Sequence, residues 1–197
     1  MNFTVFASGN GSNLQAMIDA IKKKKIKANL AVVVSDNPNA FALKRARRAG
    51  IPTLVVEPKN FPDRESFDKE VAAHLRRAKI DFIVLAGFMR ILSGYFIREY
   101  PHKILNIHPA LLPAFRGAHA IKDAFEYGVK ITGVTVHFVD EKVDHGPIVL
   151  QQEVRVSPSD TLKTLEKKIH KAEHRLYPQA VSLFVGGKLK IRGRKVV

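Results

Sequence analysis

Asn106, His108 and Asp144 are the residues of this chain whose types and spacing best suit a reaction at a carbonyl carbon. Asn106 and His108 stand two apart in Asn106-Ile107-His108-Pro109, and Asp144 opens Asp144-His145-Gly146. At the end of a β-strand, side chains two apart project to the same side. An amide NH₂ and an imidazolium are both donors. Two convergent donors can hold the oxyanion that forms when a nucleophile attacks a carbonyl. A carboxylate beside the histidine is expected to raise its pKa and keep it charged. Taken alone, Asn-x-His-Pro also serves as an ordinary strand end and turn, so the reading depends on the rest of the chain.

Two further segments carry chemical signals. Gly9-Asn10-Gly11-Ser12-Asn13 reads as an anion site. Its glycines permit a tight turn with exposed backbone N–H groups, and the helix that follows offers a positive N-terminus. Ser12 and Asn13 add donors. The pattern lacks the third glycine of a dinucleotide fingerprint, although Asp36, after the second strand, leaves that reading open. A plain helix-capping turn is the alternative. Gly87-Phe88-Met89-Arg90-Ile91-Leu92 joins apolar residues to one cation. It suits either a slot for a flat ring with Arg90 meeting a carboxylate, or core packing with a surface arginine. His119 and His137 lack ligand spacing and read as structural, so no metal site is expected.

The elements that must position these residues alternate between strand and helix. Strands are expected at Phe3–Ser8, Leu30–Ser35, Thr53–Val56, Asp81–Ala86 and Lys103–Ile107. Helices are expected at Leu14–Lys24, up to Ala49, from an Asp63 cap to Ala78, and over Ile121–Tyr127 before Gly128. Thr132–Val139 and Ile148–Val156 alternate more and suit long, partly antiparallel strands. Asp160 is expected to start the final helix, which Pro178 kinks or divides. This order implies an α/β fold: an open, mostly parallel twisted sheet with helices on both faces. Ligands bind outside the carboxyl ends of such strands, where the glycine loop, the Gly87 segment and Asn106/His108 all fall.

Composition bounds the function. A chain of 197 residues with 46% hydrophobic content supports one domain with a sizeable core. It has no apolar run long enough for a membrane helix, and its N-terminus reads as a strand, not a signal peptide. It has no cysteine, which excludes disulfides and thiol chemistry. A cytoplasmic enzyme is the simplest reading. The net charge of +15 favours anionic partners, whether a phosphorylated metabolite, a polyanionic cofactor or nucleic acid. Its basic runs (Lys22–Lys25, Lys44–Arg48, Arg76–Lys79 and Lys188–Lys195) read as solvated faces or tails.

In order and spacing, Gly9-Asn-Gly-Ser-Asn-Leu-Gln15, Gly87-Phe-Met-Arg90, Asn106-Ile-His-Pro-Ala-Leu-Leu-Pro113, Val136-His-Phe-Val139 and Asp144-x-Gly146 closely resemble the phosphoribosylglycinamide formyltransferases. These are the folate-dependent formyltransferases of de novo purine synthesis. The resemblance runs from the first strand through the final helix, and implies one Rossmann-like catalytic domain over 1–197. Its N-terminal half would bind ribonucleotide and its C-terminal half folate. It further implies that Gly11, Ser12, Asn13, His170 and Glu173 bind glycinamide ribonucleotide. Arg64, Met89, Arg90, Ile91, Leu92, Asn106, Val139, Asp140, Glu141, Val143 and Asp144 would hold the co-substrate 10-formyltetrahydrofolate. Asn106, His108 and Asp144 would be the catalytic group. From sequence alone, Glu173 also reads as an exposed helix carboxylate paired one turn away. The implied protein is a monomer or homodimer that acts on small molecules, with no nucleic-acid or membrane partner. Rivals are a formyltetrahydrofolate hydrolase, which would turn the same residues on water, and a methionyl-tRNA formyltransferase, which would need a further tRNA-binding domain. The third is a basic nucleic-acid-binding module, which 8% aromatic content and the lack of a binding motif disfavour.

Overall fold

Short, predominantly apolar runs form β1 (Asn2–Phe6), β2 (Asn29–Ser35) and β4 (Phe82–Leu85), as befits strands covered on both faces; Thr4, inside β1, satisfies its hydroxyl on the Val32 carbonyl. With β3 (Thr53–Val55) and β5 (Ile104–His108) they form the parallel part of one sheet. The computed structural model describes all 197 residues. Antiparallel β6 (Ile131–Phe138) and β7 (Ile148–Arg155) follow, then a terminal hairpin of β8 (Ile191–Arg192) and β9 (Lys195–Val196). The strand order is β3-β2-β1-β4-β5-β6-β7-β9-β8. Chain direction outward from β1 reverses between its neighbours β2 and β4, so a crevice opens at the carboxyl ends of β1 and β4.

The helices divide between the faces. α1 (Ser12–Lys22), α2 (Phe41–Arg48) and α6 (Leu162–Val185) pack on one core around Phe3, Val5, Phe82 and Leu105. α5 (Ala120–Tyr127) adds Ile121 and Phe125 to that side. α3 (Arg64–Arg77) and α4 (Gly94–Glu99) cover the other core around Phe6, Ile83, Leu85 and Ile104. The expected open, mostly parallel sheet with helices on both faces is the observed one.

Four local expectations change. α4 was not expected; Ser93 caps it by accepting the Phe96 N–H at 3.3 Å. The last helix begins one step after Asp160, where Thr161 and Thr164 form a reciprocal capping box. α6 runs through Pro178 as one helix, so no new segment starts there. An interior proline costs about 3 kcal/mol. Burial around it outweighs that cost: Tyr177, Ala180 and Val181 are fully buried, and the Tyr177 hydroxyl reaches the carbonyls of Leu85 and Leu105 at 2.8 Å each. Finally, Lys188–Lys195 is not a free tail. Gly193, at φ 59°, turns it into the hairpin, and Leu189, Ile191 and Val196 pack against the core.

Candidate active site

Alternation along β5 decides where its side chains go. Leu105 and Ile107 enter the core under α1 and α6, while Asn106 and His108 take the opposite face. Antiparallel pairing with β6 sets His137 directly across from Asn106. The Asn106 amide nitrogen lies 3.2 Å from His137 Nε2, and His137 Nδ1 lies 2.8 Å from the Phe138 carbonyl. That carbonyl only accepts, so it holds the proton on Nδ1 and leaves Nε2 as acceptor for the Asn106 N–H. His137 was expected to be purely structural. It instead orients the Asn106 amide and stands 3.7 Å from Asp144 Oδ1. Sequence spacing misses it because only the β5–β6 register brings it to the cluster.

His108 is buried, with 3% of its surface exposed. Its Nε2 donates to the Phe115 carbonyl at 2.7 Å, and its Nδ1 lies 3.3 Å from Asp144 Oδ2. Both nitrogens thus face acceptors. Burial nevertheless pulls the imidazole below its ordinary pKa, while Asp144 and the Phe115 carbonyl push back. This corrects the expectation of a raised pKa, because loss of water around the ring outweighs the neighbouring carboxylate. For Asp144 burial acts upward but is outweighed by its neighbours, the Gly117 N–H and His108 among them, so its carboxyl is held below the usual range. The Gly117 N–H donates to Asp144 Oδ2 at 2.8 Å. The Asp144 backbone is left-handed at φ 49°, uncommon for a non-glycine residue.

The glycine loop meets α6 at the same strand-end edge. Gly11 sits at φ 73° as the N-cap of α1, and a Cβ there would lie 2.7 Å from that of Ala42. Only glycine fits, and α1 opens with unpaired N–H groups at Ser12 and Asn13. Asn13 Nδ2 donates to Glu173 Oε2 at 3.0 Å, and His170 Nδ1 reaches the same oxygen at 2.9 Å. Glu173 is 4% exposed, so it is not a solvated helix carboxylate. Asn13 Oδ1 is buried without a partner. The Glu173 hydrogen bond holds His170 above its ordinary pKa. A groove of about 760 Å³ runs on from Ser12 between α1 and α6, past Arg45 and Arg175.

On the other side, the Ser8 N–H donates to the Gly87 carbonyl at 3.0 Å, and Ser8 Oγ accepts from the Met89 N–H at 2.9 Å. This ties the glycine loop to the Gly87 segment. Met89 and Ile91 are exposed, as is Val143 on the β6–β7 loop, while Leu92 is buried and Val139 partly so. Arg90 lies over the Phe67 ring at 4.7 Å, with a buried, unpartnered Nε. Arg64 is exposed at the start of α3, in a shallow depression with Ser93 and Gly94. Asp140 accepts from the Lys142 N–H and from His145, whereas Glu141 pairs outward with Arg98 at 3.2 Å. No group of three or more His, Asp or Glu side chains is arranged to hold a metal.

The fold and this edge define an open α/β architecture with a ligand crevice at the strand ends, and the formyl transferase family matches residues 1–181. The chain belongs to that family. It is 42% identical over 193 residues to the phosphoribosylglycinamide formyltransferase of Bacillus subtilis, covering 98% of each. It is 47% identical over 188 residues to the trifunctional purine biosynthetic protein adenosine-3 of Drosophila pseudoobscura pseudoobscura, and spans only 14% of that protein's length. The crystal structure of glycinamide ribonucleotide transformylase 1 from Symbiobacterium toebii is similar at a TM-score of 0.97 and 46% identity, over 100% of this chain and 92% of that one. No helix is long and apolar enough to cross a membrane.

Proposed function

We infer that this protein transfers the formyl group of 10-formyltetrahydrofolate to the primary amine of glycinamide ribonucleotide, as a cytoplasmic enzyme of de novo purine biosynthesis. Residues 1–197 act as one catalytic domain. The observation that carries this reading is the Asn106–His108–Asp144 cluster, with His108 buried and Asn106 and Asp144 half-buried, at the same strand-end edge as an anion-ready helix start and an exposed apolar slot.

The α1 N–H groups, with Gly11, Ser12, Asn13 and His170, receive the phosphate, and Glu173 with Asn13 receives the ribose. Met89, Arg90, Ile91, Leu92, Arg64 and the Val139–Asp144 loop take the folate. The amine attacks the formyl carbon, and negative charge develops on the former carbonyl oxygen. Asn106 donates to it, with its amide held by His137. His108 joins as Nε2 exchanges the Phe115 carbonyl for this oxygen. Each such donor is worth about 10²–10³ in rate. Asp144 favours the imidazolium as it forms, offsetting the burial that opposes it. The amine's proton reaches the folate nitrogen through His108 or a water held by Asp144. The bond from that nitrogen to the formyl carbon then breaks, which leaves formylated ribonucleotide and tetrahydrofolate.

The test is folate product release from the formyl donor, with and without glycinamide ribonucleotide, with His108→Ala as control. Release that needs both the ribonucleotide and His108 is expected. Release without the ribonucleotide would mark a hydrolase, and no release in either case would refute the reading.

A further inference from the structure

The β6–β7 loop carries Asp144 and the expected folate contacts, so what holds it bears on catalysis. Its neck is closed by the Phe138 N–H, which donates to the Pro147 carbonyl at 2.9 Å. Gly146 passes so close to the Phe138 carbonyl that a Cβ would sit 1.9 Å from that oxygen. Between these points Asp144 adopts a left-handed backbone at φ 49°, uncommon for a residue with a Cβ. The Gly117 N–H and His108 hold the Asp144 side chain from one side of the loop. The neighbouring element is the terminal hairpin, whose Lys195 pairs with Ile148, just past the loop.

Arg194, in the turn of that hairpin, reaches into the loop. Its Nη2 donates to the His145 carbonyl at 2.7 Å, and its Nη1 lies 3.2 Å from His145 Nε2. The His145 ring in turn meets Asp140 Oδ2 at 2.7 Å, and Asp140 Oδ1 accepts the Lys142 N–H at 3.1 Å. A chain of contacts therefore runs from the C-terminal hairpin through His145 to Asp140, bracketing Asp144. We propose that Arg194 is a positioning residue for formyl transfer: its guanidinium, bound to the His145 carbonyl, holds the Asp144 loop in its catalytic conformation. The proposal rests on the function inferred above. Arg194 itself touches neither the cluster nor the glycine loop, so ribonucleotide binding should not feel it.

Arg194→Ala should lower kcat by about tenfold, the scale of a lost hydrogen bond from a charged donor. It should also raise the KM for the formyl folate. The KM for the ribonucleotide and Tm should hold near wild-type values. Arg194→Lys should recover part of the loss, since an ammonium can still donate to the carbonyl but cannot span to the ring as well. Unchanged kcat and folate KM in Arg194→Ala would overturn the proposal, as would equal rises in both KM values with a falling Tm. Amide hydrogen exchange over residues 139–146 tests the restraint independently of any activity. Arg194→Ala should speed exchange there by about tenfold and leave β1–β5 alone, and an unchanged rate would equally overturn it. If the wild-type enzyme transferred no formyl group, the inferred function would fail, while the exchange result would still judge the restraint.

Discussion

Replacing Asp144 by asparagine keeps the shape of the side chain and removes its charge. In the native protein that charge lies 3.3 Å from His108 Nδ1 and accepts the Gly117 N–H at 2.8 Å. With an effective dielectric constant of about 20, unit charges at 3.3 Å attract by about 5 kcal/mol once the imidazolium forms. The cost of drying two buried ions takes back part of this. The remainder falls in the range of about 3–4 kcal/mol found when one group of a preorganised site is removed. The expected result is a fall in kcat of about 10²–10³. Asp144 also pushes the His108 pKa up against burial, so its loss lets that pKa drop further. The limb of the kcat–pH profile due to His108 should then move to lower pH. Glycinamide ribonucleotide should bind as before, because Asn13, His170 and Glu173 belong to α1 and α6. Steady-state formyl transfer over a pH series, with calorimetric titration of the ribonucleotide, measures all three quantities. A kcat within threefold of wild type would refute the electrostatic role given to Asp144.

Asn106→Ala should cost about 10²–10³ in kcat, and His137→Ala about five- to tenfold, since the latter only frees the amide that the former deletes; equal losses in transfer assays would contradict that division. His170 titrates above its ordinary 6.5 because of Glu173. Its contribution to stability is therefore full below about pH 6.5 and lost as pH rises through the raised folded value. His170→Gln should remove that limb from both the Tm–pH curve and ribonucleotide affinity, and a limb that persists would assign it elsewhere. Tyr177→Phe strips the hydroxyl that serves the Leu85 and Leu105 carbonyls, so it should cost about 1–2 kcal/mol and lower Tm by about 2–8 °C; an unmoved melting curve would show those carbonyls to be satisfied without it.

Sequence alone determined the parallel part of the sheet, because β1, β2 and β4 are short, predominantly apolar runs and the period-3.6 helices between them leave few topologies. It also determined that Gly11–Asn13, Gly87–Arg90 and Asn106/His108 share one edge, since each directly follows or ends a strand of such a sheet. Tertiary structure decided what those residues experience. The pKa of His108 follows from how much water the fold removes from the ring, a sum over neighbours that local sequence does not encode. The role of His137 follows from the β5–β6 register, and the burial of Glu173 from α6 packing on α1. The basic C-terminal run reads as solvated because charge dominates it locally, yet Gly193 and three apolar residues turn it back onto the sheet edge. Spacing along the chain carries what adjacent residues do to one another. Which distant groups meet, and how dry they become, is set only when the faces of the sheet are covered.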